Sequence, residues 1–376
     1  MISVERFYNA LCNSGVDFFT GVPDSLLKDF CAYVTDHTPG KQNIIAANEG
    51  AAVGIAAGHY MASGRLPLVY MQNSGLGNTV NPVLSLADKK VYALPMLLVI
   101  GWRGEPGVKD EPQHVKQGEV TLELLEAMQV PYVVLAQEEE EAISQVCEMT
   151  KKAYKESRPC ALVIKKDTFE KYKLQHEVVN NYPLSREEAL KLVVKNLGEK
   201  DVVVSTTGKL SRELFELRET LQQGHGRDFL TVGSMGHSSS IALGIALEKP
   251  ERTVWCFDGD GAFIMHMGAC TNIGALAPKN YRHIVFNNGA HESVGGQPTL
   301  GFQMNITAIG EACGYRQTFS VATQQEIEQT LLRISQCEGP LLIELRVKID
   351  SRTDLGRPTT TPQDNKRNFM DFLSDE

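Results

Sequence analysis

The chain is predicted to fold as two doubly wound α/β domains, each built on a parallel sheet of about six strands. Two patterns predict this. Short apolar, β-branched runs alternate with helical patterns along the whole length. The 376 residues also exceed what one ordinary core holds, so two domains of roughly 180 residues are expected.

In the first half the strand candidates are 17–20, 43–47, 67–71, 95–100, 131–135 and 160–165. A polar, weakly patterned stretch from 167 to 184 then reads as a linker. The second half restarts with a helix capped by Ser185, where Glu188 completes a capping box. Strand candidates follow at 201–205, 228–232, 253–257, 282–286 and 340–347. A helix-like run from Ala262 to Leu276 separates two of them. From 351 to 358 no periodicity remains, as in a segment that wraps a surface. The domains are therefore placed at 1–170 and 185–350, joined by a linker at 171–184 and followed by a tail at 351–376.

Composition excludes several classes of function. Hydrophobic content of 42% and charged content of 22% are those of a globular protein. A net charge of −9, spread along the chain, argues against nucleic acid as a partner. No apolar run reaches the ~20 residues that cross a membrane. The first residues lack the basic-then-apolar pattern of a signal peptide. Eight scattered cysteines, with no Cys-x-x-Cys pair, read as free thiols in a reducing cytoplasm rather than a disulfide framework or zinc site.

The chemistry concentrates at Gly259-Asp260-Gly261, followed after about 25 residues by Asn287-Asn288. Each motif ends a strand candidate, so an aspartate and an asparagine can converge on one small ion. Mg²⁺ takes hard oxygen ligands, usually one or two carboxylates together with phosphate oxygens. The glycines let the backbone approach phosphate, and the following helix offers its N-terminal N–H groups. A dinucleotide site is disfavoured because the Gly-x-Gly-x-x-Gly spacing and the later ribose-binding acid are missing. A Walker A loop is absent too, since Gly208-Lys209 is followed by Leu210.

In the first half, Asn48-Glu49-Gly50 follows a strand candidate and opens a run of small residues to Gly58. A glutamate in a first helical turn can simply suit the helix dipole. Tight packing by the Gly/Ala neighbours would also leave the Glu49 carboxyl poorly hydrated and raise its pKa. A carboxyl held neutral can hydrogen-bond a heteroaromatic nitrogen.

Together these motifs resemble the thiamine-diphosphate (ThDP) enzymes. The chain is too short for the central third domain of the large 2-oxoacid decarboxylases and acetolactate synthases. Its whole length resembles the compact two-domain phosphonopyruvate decarboxylase family, related to sulfopyruvate decarboxylase. The segments that carry this are Gly21-Val22-Pro23-Asp24-Ser25, Gln72 to Asn78, Gly101 to Gly104, Asp110-Glu111-Pro112-Gln113-His114, Gly233 to Ser240, Asn287 to Thr299 and Leu355 to Pro362.

The resemblance implies a pyrimidine-binding first domain and a diphosphate-binding second domain, with the cofactor held between domains of different subunits, so at least a homodimer. It implies that Glu49 activates the pyrimidine through its ring nitrogen. Mg²⁺ would be held by the Asp260 and Asn288 side chains and the Ala290 carbonyl, with Gly259 and Gly261 beside the diphosphate. Met235 would support the bent cofactor, and the Gly233 carbonyl would accept from its exocyclic amine. The implied reaction is decarboxylation of phosphonopyruvate to phosphonoacetaldehyde, in phosphonate biosynthesis. Its anionic substrate needs cations and hydroxyls; the candidates are Ser25, Asn73, Arg103, Lys109, Lys209 and Arg212. His114 and His291, with near-neutral intrinsic pKa values, are candidate proton donors. The Gly101 to Gly118 segment is a candidate lid. Sulfopyruvate decarboxylase, an acetolactate-synthase-like carboligase and a non-catalytic ThDP-fold protein are the alternatives. The last is disfavoured by the joint presence of Glu49, Asp260 and Asn288.

Overall fold

The strand runs are apolar at nearly every position, and in the computed structural model both faces of each sheet are covered, as parallel strands require. Residues 1–176 and 178–374 are described. Position 177 of the expected linker and the last two positions of the expected tail lie outside them.

The first sheet comprises β1 (Val16–Gly21), β2 (Asn43–Ile45), β3 (Leu66–Gln72), β4 (Met96–Gly101), β5 (Tyr132–Val134) and β6 (Pro159–Ile164), in the order β2-β1-β3-β4-β6-β5. Its neighbouring strands all pair in parallel. Alternation along β4 divides the core in two. Leu97 and Val99 pack with the helices Val4–Asn13, Lys28–His37 and Glu139–Glu156; Met96, Leu98 and Ile100 pack with Glu49–Ser63 and Pro112–Ala127.

The second sheet has β7 (Val202–Ser205), β8 (Asp228–Leu230), β9 (Val254–Gly259), β10 (Tyr281–Asn287), then, past the two short strands β11 (Ala290–His291) and β12 (Gln297–Pro298), β13 (Gln317–Val321) and β14 (Leu341–Arg346). The order is β13-β14-β10-β9-β7-β8, again parallel throughout. Ile284 and Phe286 of β10 face one core cluster, Tyr281 and Val285 the other. β11 and β12 form a separate two-stranded sheet. Two compact units result: Met1–Glu177 with His291–Pro298, and Val178–Ala290 with Thr299–Glu376. No third domain is evident among the described residues.

Several elements differ from the sequence reading. β13 was not expected; it is an edge strand whose side chains are mostly half-exposed, so its hydrophobic alternation is weak. The run 262–276 is split into helices Asp260–Met265 and Ala269–Leu276, with a break at His266 to Gly268. The tail carries a helix, Pro362–Ser374, whose Asn365 bonds both Leu230 N and Asp228 O across β8. The capping box at Ser185 and Glu188 forms as expected. All eight cysteines are free thiols.

Arg218 and Asp228 form a bidentate pair with Nε–Oδ2 2.7 Å and Nη2–Oδ1 2.8 Å, both side chains essentially without surface. Removing one partner strands a buried charge. Asp228→Ala is therefore expected to cost about 3–5 kcal/mol, read as a lower urea midpoint.

Candidate functional site

Asn48 adopts an extended conformation and caps the helix Glu49–Ser63, its side chain accepting from Ala51 N at 2.9 Å. That cap places Glu49 in the first turn with only 5% of its surface exposed. Its Oε2 accepts from Asn78 Nδ2 at 2.7 Å. On the other side lies Gly75, where an added Cβ would fall 2.4 Å from Glu49 Oε1. Gly50 is equally tight: a Cβ there would come within 2.8 Å of the Asn78 carbonyl. The segment from Gln72 to Asn78 therefore closes over the acid. Asn78 and Gly75 shape it, and neither was a candidate from sequence alone.

Also in the first unit, Asp24 is fully buried. It accepts from Gln72 Nε2 at 2.5 Å and Leu26 N at 2.9 Å, with Gly101 packed against it. Burial raises its carboxyl despite those donors. Ser25 Oγ accepts from Arg103 Nη1 at 2.8 Å. Arg103 Nε donates to Asp110 Oδ2 at 2.8 Å, and its Nη2 donates to Oδ1. Burial opposes ionisation of Asp110, yet the Arg103 fork and the N–H groups of Glu111 and Gly104 hold it well below the usual carboxylate range. Asn73 is buried and brackets the Arg103 main chain, donating to its carbonyl at 2.8 Å and accepting from its N–H at 3.2 Å. Ser25, Asn73 and Arg103 thus share one network, whose hub Asp110 the sequence reading did not single out.

The candidate lid is a braced turn that runs into the helix Pro112–Ala127. Trp102 Nε1 donates to the Gly118 carbonyl at 2.9 Å, and Gly104 N donates to Asp110. Lys109 stands exposed on this turn, while His114 is buried in the first turn of the helix Pro112–Ala127.

In the second unit, β9 and β10 run abreast with Gly259 opposite Phe286, so Asp260 and Asn287 leave the sheet side by side at its carboxyl edge. Asp260 opens the helix Asp260–Met265 and is 3% exposed. Burial pushes its carboxyl up to about 6, against the Thr299 hydroxyl and the N–H groups of Gly261 and Asn288. The two asparagines divide the work. Asn287 donates to Gly301 O at 2.9 Å and to Glu344 Oε1 at 2.7 Å, tying the loop to β14. Asn288 Oδ1 accepts from Ala290 N at 3.1 Å, and its carbonyl accepts from Asn180 Nδ2 at 3.2 Å. At Gly301 a Cβ would lie 2.4 Å from Asn287 Oδ1 and 2.6 Å from Asp260 Oδ2. Thr299, Gly301 and Glu344 therefore complete the site.

This donor set fits Mg²⁺. The oxygens of Asp260, Asn288 and the Ala290 carbonyl are all hard ligands. A buried carboxylate raised to about 6 is one whose charge its neighbours leave undercompensated. Gly259 and Gly261, the latter in the first helical turn, carry no side chain that would keep a diphosphate away from the backbone.

Gly233 and Met235 are part-buried in the loop before the helix Ser238–Glu248. Ser234 has φ +55° and Gly236 φ +82°, a bend in which a Gly236 Cβ would lie 2.6 Å from the His266 ring. Lys209 opens the helix Lys209–Leu221. Arg212 donates through Nε to the Gly356 carbonyl at 2.6 Å and through Nη2 to the Leu355 carbonyl, so it fastens the tail. His291 ends β11 and keeps some surface, but burial lowers its imidazole to about 4. It therefore titrates near 4 rather than near its intrinsic value of about 6.5.

Two family profiles match the chain. The thiamine pyrophosphate enzyme N-terminal TPP binding domain matches residues 3–139, and the C-terminal TPP binding domain matches residues 206–345. The chain is 32% identical over 389 residues to phosphonopyruvate decarboxylase of Streptomyces viridochromogenes, covering 100% of this chain and 96% of the relative. The enzyme of the same name from Streptomyces hygroscopicus is 32% identical over 391 residues, with 100% and 95% covered. Sulfopyruvate decarboxylase of Methanosarcina acetivorans is 26% identical over 391 residues, with 98% and 97% covered. The chain belongs to the phosphonopyruvate decarboxylase family of thiamine pyrophosphate enzymes. No helix among the described residues is long and apolar enough to cross a membrane.

Proposed function

We propose that this chain catalyses the ThDP- and Mg²⁺-dependent, non-oxidative decarboxylation of 3-phosphonopyruvate to phosphonoacetaldehyde and CO₂. The observation that carries this reading is relatedness running end to end at 32% identity. The sulfonate analogue is the second reading, favoured by the full-length relative at 26%.

When bound, ThDP supplies a sink for the electron pair left behind by CO₂. Glu49 holds a proton at the pyrimidine ring nitrogen, with Asn78 and Gly75 fixing its carboxyl. Asp260, Asn288 and the Ala290 carbonyl hold the metal, Gly259 and Gly261 admit the diphosphate, and Gly233 and Met235 support the ring system. Ser25, Asn73 and Arg103 are the substrate candidates that one network holds together, with the Arg103 donors engaged by Asp110 and Ser25 and the Asn73 amide by Arg103 and Thr121. Lys109, Lys209 and Arg212 stand outside this network, and Arg212 Nε and Nη2 hold the tail. His114 or His291 serves the final proton transfer, the latter starting as neutral imidazole.

The first unit supplies the pyrimidine half and the second the diphosphate half, joined across two copies of the chain in a cytoplasmic dimer or tetramer.

The test is CO₂ release from purified protein with ThDP and Mg²⁺ on phosphonopyruvate, sulfopyruvate and pyruvate side by side. Cofactor-dependent turnover of phosphonopyruvate is expected to dominate. Preferential turnover of sulfopyruvate would move the substrate, and silence on all three would refute the decarboxylase reading. A sharper local prediction concerns Gly75. Gly75→Ala drives a methyl into the Glu49 carboxyl, and a misplacement of that size is expected to lower kcat by about 100-fold, with the circular dichroism spectrum unchanged.

A further inference from the structure

Beneath the metal-binding turn lies a buried polar chain that the reading above does not use. Asp258 immediately precedes Gly259 and is 1% exposed; His283 is fully buried and Tyr315 nearly so. Asp258 Oδ1 accepts from Gly259 N at 3.2 Å. Its Oδ2 faces His283 Nε2 at 3.5 Å, and neither of those two atoms has a hydrogen-bonding partner among the described residues. On the other side of the ring, His283 Nδ1 lies 3.0 Å from the Tyr315 hydroxyl. β9 and β10 are adjacent, with His283 opposite Cys256 and Asp258 two residues further along β9, so both side chains share one face of the sheet.

Burying a carboxylate and an imidazole among apolar strands is costly unless the pair satisfies itself. The two otherwise unpartnered atoms face each other, and a small closure turns 3.5 Å into a hydrogen bond. The Asp258 carboxylate would then be pinned at both oxygens, by His283 and by the Gly259 N–H. The peptide it pins joins Asp258 to Gly259, one residue before Asp260.

We propose that Asp258, His283 and Tyr315 are positioning residues that fix the Gly259–Asp260 turn and so set the affinity of the site for its divalent metal. The inference rests on Asp260 being a metal ligand. It assigns no contact between the three residues and the metal itself.

The test is Mn²⁺ binding by the full-length protein in the presence of ThDP, followed by the electron paramagnetic resonance signal of free Mn²⁺. His283→Leu removes the imidazole, and Tyr315→Phe removes one hydroxyl at nearly constant volume. The dissociation constant for Mn²⁺ is expected to rise about 10- to 100-fold in His283→Leu and by less in Tyr315→Phe. His283→Gln keeps an N–H near the Nε2 position and should recover most of the loss. Turnover lost by these variants should return at high metal concentration. Folded variants that bind Mn²⁺ with the wild-type constant, whatever their melting temperature, would overturn the proposal. Wild-type protein that binds no Mn²⁺ with ThDP would instead refute the metal site.

Discussion

Glu49→Gln is expected to lower kcat by about 10²- to 10⁴-fold while leaving the fold and ThDP binding in place. The substitution exchanges one oxygen for nitrogen and changes almost no volume. The Asn48 cap, which sets the start of the helix, is untouched. The amide can still meet Asn78 at 2.7 Å, because the Asn78 side chain can turn its oxygen to the new donor. What disappears is a group that can pass a proton to and from a ring nitrogen. With only 5% of the Glu49 surface exposed, water has little access to take over the proton transfer, so rescue by solvent should be weak. The measurement is CO₂ release at saturating ThDP and Mg²⁺, with ThDP affinity determined in parallel. Unchanged turnover would remove Glu49 from the mechanism. Lost turnover with equally lost ThDP binding would make it a binding residue only.

What the sequence made legible follows from where the information sits. Eleven strands could be read because each carries a short apolar run, most of them buried on both faces as parallel strands are. The half-exposed edge strands β2 and β5 keep such runs, whereas β13, Gln317-Thr318-Phe319-Ser320-Val321, has only two apolar residues and no run. Asp260 and Asn288 were visible as a pair because adjacent parallel strands deliver their carboxyl ends to one edge. The different tasks of Asn287 and Asn288 were not visible, since the direction of each side chain depends on a loop that turns at Gly289 with φ +74°. Thr299, Gly301 and Glu344 reach the site through loop return and the β10–β14 pairing, a contact across 57 residues in the case of Asn287 and Glu344. No local pattern encodes such a contact. Arg212 shows what proximity to a motif leaves out, since its Nε and Nη2 donate to the carbonyls of Gly356 and Leu355 in the tail. Asn78 and Gly75 lay inside a segment that the resemblance had already marked, and only packing against Glu49 gives that segment its physical reason.

Asp260→Ala should abolish metal-dependent ThDP binding, raising the dissociation constant for Mn²⁺ by more than about 100-fold, since loss of a ligand exceeds the 10- to 100-fold typical of the groups behind it. The effect should far exceed that of Thr299→Val, which removes only a hydroxyl bonded to the carboxylate. Protonation offers an independent check on the same group. In the metal-free protein, burial raises the Asp260 carboxyl to about 6, so ionising it opposes folding. The stability contributed by its neutral form is fully present below its unfolded value of about 3.9 and is lost as pH rises through about 6. A metal reverses that sign, because it binds the ionised form. Mn²⁺ affinity is therefore expected to fall as pH drops through about 6, and thermal stabilisation by metal with ThDP should be largest above it. Calorimetric titrations at several pH values, with Asp260→Asn as the non-titrating control, separate the two effects. A metal affinity in the wild type that is flat across that range would mean that Asp260 is not the carboxylate holding the ion.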